Sequence, residues 1–198
     1  MAILLSTSFL LLAVIGRMLI QYYYTRDHGL RFLKASSPLS DILATTSFVV
    51  AFAVSTLLIW LETTGVFVLN LILPDCIRYL AAVISAIGIG IVLLAQIQMG
   101  RSWRIGVDHG EKTSLIKTGL YKYSRNPIYL GIFLYWIGMV LIFASMSMLI
   151  CGLICCISID YIVRKIEEPY LVKAHGVDYN NYMKTTHRYL GNTFFQRQ

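Results

Sequence analysis

Between Ile128 and Val163 the chain runs for 36 residues with Asp160 as its single charge. As one α-helix this run would be about 54 Å long, against a bilayer hydrocarbon core of about 30 Å. It must therefore fold back, and Phe143-Ala144-Ser145-Met146-Ser147 is the best place for the turn. Three more long apolar runs precede it: Ile3 to about Tyr23, Ile42 to Leu61, and Ile77 to Ile97. In lipid each segment must satisfy its own backbone, so such runs read as spanning helices. Only 14% of the residues are charged and 57% are apolar, whereas a soluble domain carries about a quarter charged residues. The expected fold is an all-α integral membrane protein with about five transmembrane helices, the last two a tight helical hairpin. Residues 1–198 form one membrane-embedded domain, with three helices in 1–98 and the hairpin and its polar flanks in 99–198.

The charged residues sit in the connections and set the orientation. Arg26, Arg31 and Lys34 follow the first run. Glu62 and Asp75, with Arg78 near, flank the second connection. Arg101, Arg104, Lys112, Lys117, Lys122 and Arg125 fill the third, the hairpin turn has none, and the tail is again basic. This alternation is the positive-inside pattern for an odd number of spans, with the third loop and the tail cytoplasmic. It also accounts for the net charge of +7 without a nucleic-acid partner.

The first run lacks a charged n-region and an A-x-A-like cleavage site, so it reads as a retained helix rather than a signal peptide. Arg17 near its end is expected to reach the headgroups, beside an interfacial belt of Tyr22, Tyr23 and Tyr24. Gly65 to Leu73 is apolar but short, and reads as a re-entrant or interfacial turn ended by Pro74. In the third run Gly88, Gly90, Ala81, Ala82, Ser85 and Ala86 favour close helix contact. Cys76, Cys151, Cys155 and Cys156 form no metal-ligand spacing, and packing is their expected role.

Two polar constellations can carry chemistry. In the first, Leu115-Ile116-Lys117-Thr118-Gly119-Leu120-Tyr121 leads to Arg125-Asn126-Pro127-Ile128-Tyr129-Leu130-Gly131, a loop entering a helix. Asn126 suits an N-cap and Pro127 a first helical residue. A helix start at the membrane surface offers N–H groups and a positive dipole end to an anion. In the second, Arg164, Glu167 and Glu168 lie at i,i+3 and i,i+4, so an α-helix would put them on one face. Asp160 lies one turn earlier, where a carboxylate is costly in lipid, and pairing with Arg164 is its simplest account. On physical grounds alone, a capped membrane helix and a solvated helix end explain both constellations.

Taken together the two carry a resemblance. Arg125-Asn126-Pro127-x-Tyr129-x-Gly131, a helical hairpin, and Glu167-Glu168-x-x-Leu171-x-x-x-x-Gly176-x-x-Tyr179-x-x-Tyr182 resemble the isoprenylcysteine carboxyl methyltransferases, their prokaryotic relatives and, more broadly, the phospholipid N-methyltransferases. Gly100-Arg101-Ser102-Trp103 and Leu115-Ile116-x-Thr118-Gly119-x-Tyr121 also fit. The likeness spans about Gly100 to Arg188. Many members have His where this chain has Asn126, which keeps hydrogen bonding but is no base near neutral pH.

The resemblance implies a methyltransferase using S-adenosyl-L-methionine and a lipid-modified substrate within the bilayer. It implies cofactor contacts at Thr113, Ser114, Leu115, Ile116, Tyr121, Asn126, Pro127, Ile128 and Tyr129, and at Glu167 or Glu168. It implies catalytic roles for Arg164 and Glu167, with Arg164 on the substrate, and no metal. A carboxylate acceptor, ionised at neutral pH with a pKa of about 3.5, needs orientation, loss of water and a cation, but no general base. An amine acceptor needs a proton removed, which favours O-methylation. The competing readings are phospholipid N-methylation, a sterol-reductase-like NADPH enzyme, and a non-enzymatic scaffold or small transporter.

Overall fold

The computed structural model describes residues 1–27, 29, 38–63, 71, 73–106 and 114–190, with the side chains of residues 62 and 63 excepted. These residues are helical with no β-strand: α1 (Ala2–Thr25), α2 (Leu39–Thr63), α3 (Asp75–Met99), α4 (Pro127–Phe143), α5 (Met146–His175) and α6 (Val177–Thr185). Four of the helices, α1, α2, α3 and α5, are long and apolar enough to cross a bilayer. The fifth, α4, has 17 residues and is about 25 Å long, at the short end of spanning lengths. Their outer faces are apolar and exposed, as at Leu12, Leu57, Leu94, Ile137 and Ile157, which water would not tolerate and lipid does. The chain is an integral membrane protein.

The turn of the long run falls within Phe143–Ser147, as expected. Ala144 closes α4 in the left-handed region (φ 46°) and donates its N–H to Val140 O at 2.7 Å. Ser145 then starts α5, its Oγ accepting the Met148 N–H at 3.3 Å. The expectation of two short helices holds only for α4. The polar residues after Val163 continue the helix, so α5 runs for 30 residues to His175.

α3 packs along α4, and α2 along α5. The first of these contacts depends on small residues. A Cβ on Gly88 would lie 2.6 Å from Gly131 O and Tyr135 N, one on Gly131 would lie 2.7 Å from Gly88 O, and one on Gly138 would collide with Ser85 Oγ and Ala81 O. Ala81, Ser85 and Gly88 are the buried ones; Gly90 has open space around it and Ala86 is exposed. Ser85 also donates to Tyr135 O at 3.1 Å. Above this seam Phe9 stacks on Tyr135 at 4.5 Å and Phe52 meets Trp136 edge-on. Cys151 and Cys155 are buried here and Cys76 is exposed.

Arg17 does not reach out to the headgroups. Only 6% exposed, it turns inward, its guanidinium over the Trp103 ring at 4.9 Å and donating to Gly100 O and to Gln21 Oε1. Gln21 donates to Arg101 O at 3.1 Å and Gln96 to Ala13 O at 2.9 Å. The first helix is thereby fastened to the turn after α3. Most of the 26–38 connection and of the 65–73 segment lies outside the described residues.

Candidate functional site

The loop before α4 is built to hold a helix start open. Gly119 (φ 63°) leaves no room for a Cβ beside the Gln98 amide, whose Oε1 accepts the Leu120 N–H at 2.8 Å. The 3-10 turn Gly119–Lys122 then brings Tyr121 into the bundle. The Tyr121 hydroxyl donates to Ala95 O at 3.3 Å, and its carbonyl accepts from Tyr182. Burial above all, then Tyr182 and Glu167, pushes the Tyr121 phenol well above its ordinary pKa, so it stays neutral. Pro127 is the first helical residue, as its fixed φ favours. Asn126 occupies the cap position without capping. Its amide instead donates to Arg188 O at 3.1 Å, while its own N–H goes to Ser124 Oγ at 3.1 Å.

The three charged residues on α5 separate. Residues Ile162–Glu167 form a π-helical turn, whose wider period carries Glu167 onto the face of Ile162, five residues earlier. Glu167 lines the cavity described below and accepts the Tyr129 hydroxyl at 2.6 Å. Glu168 is buried elsewhere, between Arg125 Nη2 at 2.6 Å and Arg188 Nη2 at 2.6 Å. Arg125 also donates to Met183 O and Thr186 O. The Glu168 contact is the main cause holding the Arg188 guanidinium above its ordinary pKa. Arg164 turns to solvent, its side chain about half exposed and paired with Asp160 at 2.7 Å. Asp160 also accepts from Tyr189 Oη at 2.9 Å.

A cavity of about 960 Å³, counting its open mouth, lies where α1, α2, α3, α4 and α5 meet the third loop. Its polar end is formed by Arg104, Tyr121, Arg125, Asn126, Tyr129 and Glu167, together with Pro127 and Ile128. Its apolar end is formed by Phe9, Ala13, Val14, Phe48, Val92, Ile132, Ile159 and Ile162.

A family model described as phospholipid methyltransferase matches residues 77–178, just over half of the chain. The chain belongs to the phospholipid methyltransferase family. That family covers isoprenylcysteine carboxyl methyltransferase-like proteins, and the protein is accordingly a membrane methyltransferase. No curated protein matches it.

In this methyltransferase Tyr121, Asn126, Pro127, Ile128, Tyr129 and Glu167 come together on one cavity. Glu168 and Arg164 do not join them, because the π turn breaks the shared α-helical face assumed from their spacing. Ser114, Leu115 and Ile116 are described but lie outside the cavity lining; Ser114 Oγ meets Ser102 Oγ at 2.9 Å. Thr113 lies outside the described residues. No metal-holding cluster occurs among the described residues. The sequence reading missed Gln96, Met99, Trp103 and Arg104 on the cavity lining and Phe9, Ala13, Val14, Thr45 and Phe48 from the first two helices. Trp103 stood inside a noted motif, but nothing in the sequence placed α1 and α2 against it.

Proposed function

We propose that this membrane methyltransferase takes S-adenosylmethionine as its methyl donor and O-methylates the carboxylate of a lipid-embedded, isoprenylcysteine-type acceptor. The observation that carries this reading is the single cavity that joins an apolar end among membrane helices to a polar end at the loops. When bound, the donor would supply a sulfonium-held methyl group that a carboxylate oxygen can attack, the oxygen–methyl bond forming as the sulfur–methyl bond breaks and the neutral thioether leaves, with no proton to remove.

The residues present fit such a donor. Glu167 offers a carboxylate to an ammonium or to the sulfonium charge. Tyr121 and Tyr129 offer ring faces to a cation or to adenine. The start of α4 has no side-chain cap, and its N–H groups suit a carboxylate. Tyr129 fixes the Glu167 carboxylate by the 2.6 Å bond, and the apolar end excludes water from the acceptor. The 100–126 and 168–190 segments meet at one end of the bundle through Arg125, Glu168 and Arg188, and we place that end on the cytoplasmic side from the charge alternation.

A second reading, N-methylation of a phospholipid amine, draws on the family's description and on the Tyr129–Glu167 pair, where a carboxylate could receive a proton. One assay separates the two: labelled methyl transfer to N-acetyl-S-farnesylcysteine beside phosphatidylethanolamine, in nanodiscs. Label on the carboxylate acceptor alone supports O-methylation; label on the amine alone rejects it.

A further inference from the structure

We infer that Phe9 and Phe48 set the length of lipid chain the acceptor can carry, because their rings close the apolar end of the cavity. This rests on the proposed reading of the cavity as the site of a lipid-embedded acceptor. Both residues line that cavity. Both also lie outside residues 77–178, where the family model matches, whereas Tyr121, Asn126, Tyr129 and Glu167 of the polar end lie inside that range. The wall at the apolar end is thus supplied by helices other than those that carry the polar groups.

The two rings are held in place from behind. Phe9 is only 3% exposed. It stacks on Tyr135 at 4.5 Å and meets Phe52 at 5.3 Å, and Phe48 meets Phe52 at 6.3 Å. Phe52 and Tyr135 form a second row off the lining, with Trp136 edge-on to both at 6.3 and 5.9 Å. Displacing Phe9 would therefore disturb α1, α2 and α4 together. Tyr135 is eight residues beyond Pro127, so the wall stands about 12 Å below the start of α4, near the middle of a hydrocarbon core of about 30 Å. A chain that enters with its head at the polar end meets the rings there.

The bilayer makes fit decisive. An acceptor chain leaves lipid to enter the cavity, and lipid is as apolar as the wall, so burial by itself gains little. Packing is what remains to discriminate. A chain that ends short leaves unfilled space, and one that is too long must push rings out of a close-packed row. Ala13, on the same lining four residues nearer Arg17, leaves the path to Phe9 open with its small side chain.

The test uses the full-length protein in nanodiscs and three acceptors, N-acetyl-S-geranylcysteine, N-acetyl-S-farnesylcysteine and N-acetyl-S-geranylgeranylcysteine. The variants are Phe9→Ala, Phe48→Ala and Ala13→Leu, with Leu12→Ala on the exposed face of α1 as control. The readout is the ratio of kcat/KM for the geranylgeranyl acceptor to that for the geranyl acceptor. Phe9→Ala and Phe48→Ala should each raise this ratio at least about tenfold, Ala13→Leu should lower it about tenfold, and Leu12→Ala should keep it within about twofold. Calorimetric affinity for S-adenosylhomocysteine should stay near wild type throughout, since the polar end is untouched. An unchanged ratio in Phe9→Ala or in Ala13→Leu overturns the inference. So does an equal loss for all three acceptors in step with S-adenosylhomocysteine affinity, which would make the rings packing alone. Should Phe9→Ala fail to fold, Ala13→Leu decides by itself, because it removes no ring. A wild-type protein that binds no S-adenosylhomocysteine, or that methylates none of the three acceptors, rejects the underlying reading and the inference with it.

Discussion

Two adjacent glutamates do different work because one backbone turn is wider than its neighbours. Glu167 faces the cavity and Glu168 faces two arginines, so their amide variants should fail differently. Glu167→Gln should leave the melting temperature near wild type and weaken S-adenosylhomocysteine binding by about tenfold or more, the scale of a lost charged hydrogen bond. Glu168→Gln should leave Arg125 and Arg188 facing a neutral amide in a buried site. Breaking such a pair costs about 3–5 kcal/mol, which differential scanning fluorimetry should register as a large drop in melting temperature. The sequence could not separate the two, since their neighbours on an ideal α-helix are one residue apart and the π turn leaves no composition signature. The phenol of Tyr121 is pushed upward by burial, so it remains protonated throughout the neutral range and takes no part as a base. With a carboxylate acceptor already ionised above about pH 5, kcat should be flat from about pH 6.5 to 8.5. An amine acceptor would instead give a rate that rises with pH across this range.

At the scale of helices, the seam between α3 and α4 is a backbone-to-backbone contact, and its glycines are required by space. Gly138→Ala and Gly131→Ala should each lower the melting temperature strongly, since their Cβ atoms meet carbonyl and amide groups of the facing helix. Gly90→Ala, with nothing within 4 Å of the added carbon, is the matched control and should be neutral or stabilising, because Ala is the better helix former. Much of this level was legible beforehand. The hydropathy runs located the helices, the length of the last run placed its turn at Phe143–Ser147, and of the expected contact residues Ala81, Ala82, Ser85, Ala86, Gly88 and Gly90 it is Ala81, Ser85 and Gly88 that are buried at the seam. What was not legible was which helix lies against which. Phe9, Thr45 and Phe48 line the cavity only because α1 and α2 return to residues far along the chain, and an apolar residue in an apolar run gives no sign of such a partner. Arg17 was misjudged for the same reason: its Trp103 partner is 86 positions away.

Among the described residues the connections sort to two ends. The loop before α4 and the tail share one end through Arg125, Glu168 and Arg188. The Leu71 N–H donates to Ala144 O at 3.0 Å, which brings the two charge-poor connections together at the other. Native Cys76 is exposed near that second end. In oriented vesicles an impermeant maleimide should therefore label Cys76 from one face, and cysteines introduced at Ser114 and Asn181 from the opposite face. Labelling of all three from the same face would reject the five-helix arrangement. The tail closes this end through bonds from Arg188 and Tyr189 to Glu168 and Asp160, so the bundle is complete only when its last residues are present. A chain that ends before Arg188 keeps Arg125 on Glu168 but lacks the second guanidinium on that carboxylate. Such a chain carries a buried ion cluster short of one arginine, a state that membrane quality control can recognise. A message stopped after Thr185 should yield a chain that inserts normally yet decays much faster than the full-length protein in a pulse-chase, so that survival in the membrane depends on translation having passed Tyr189.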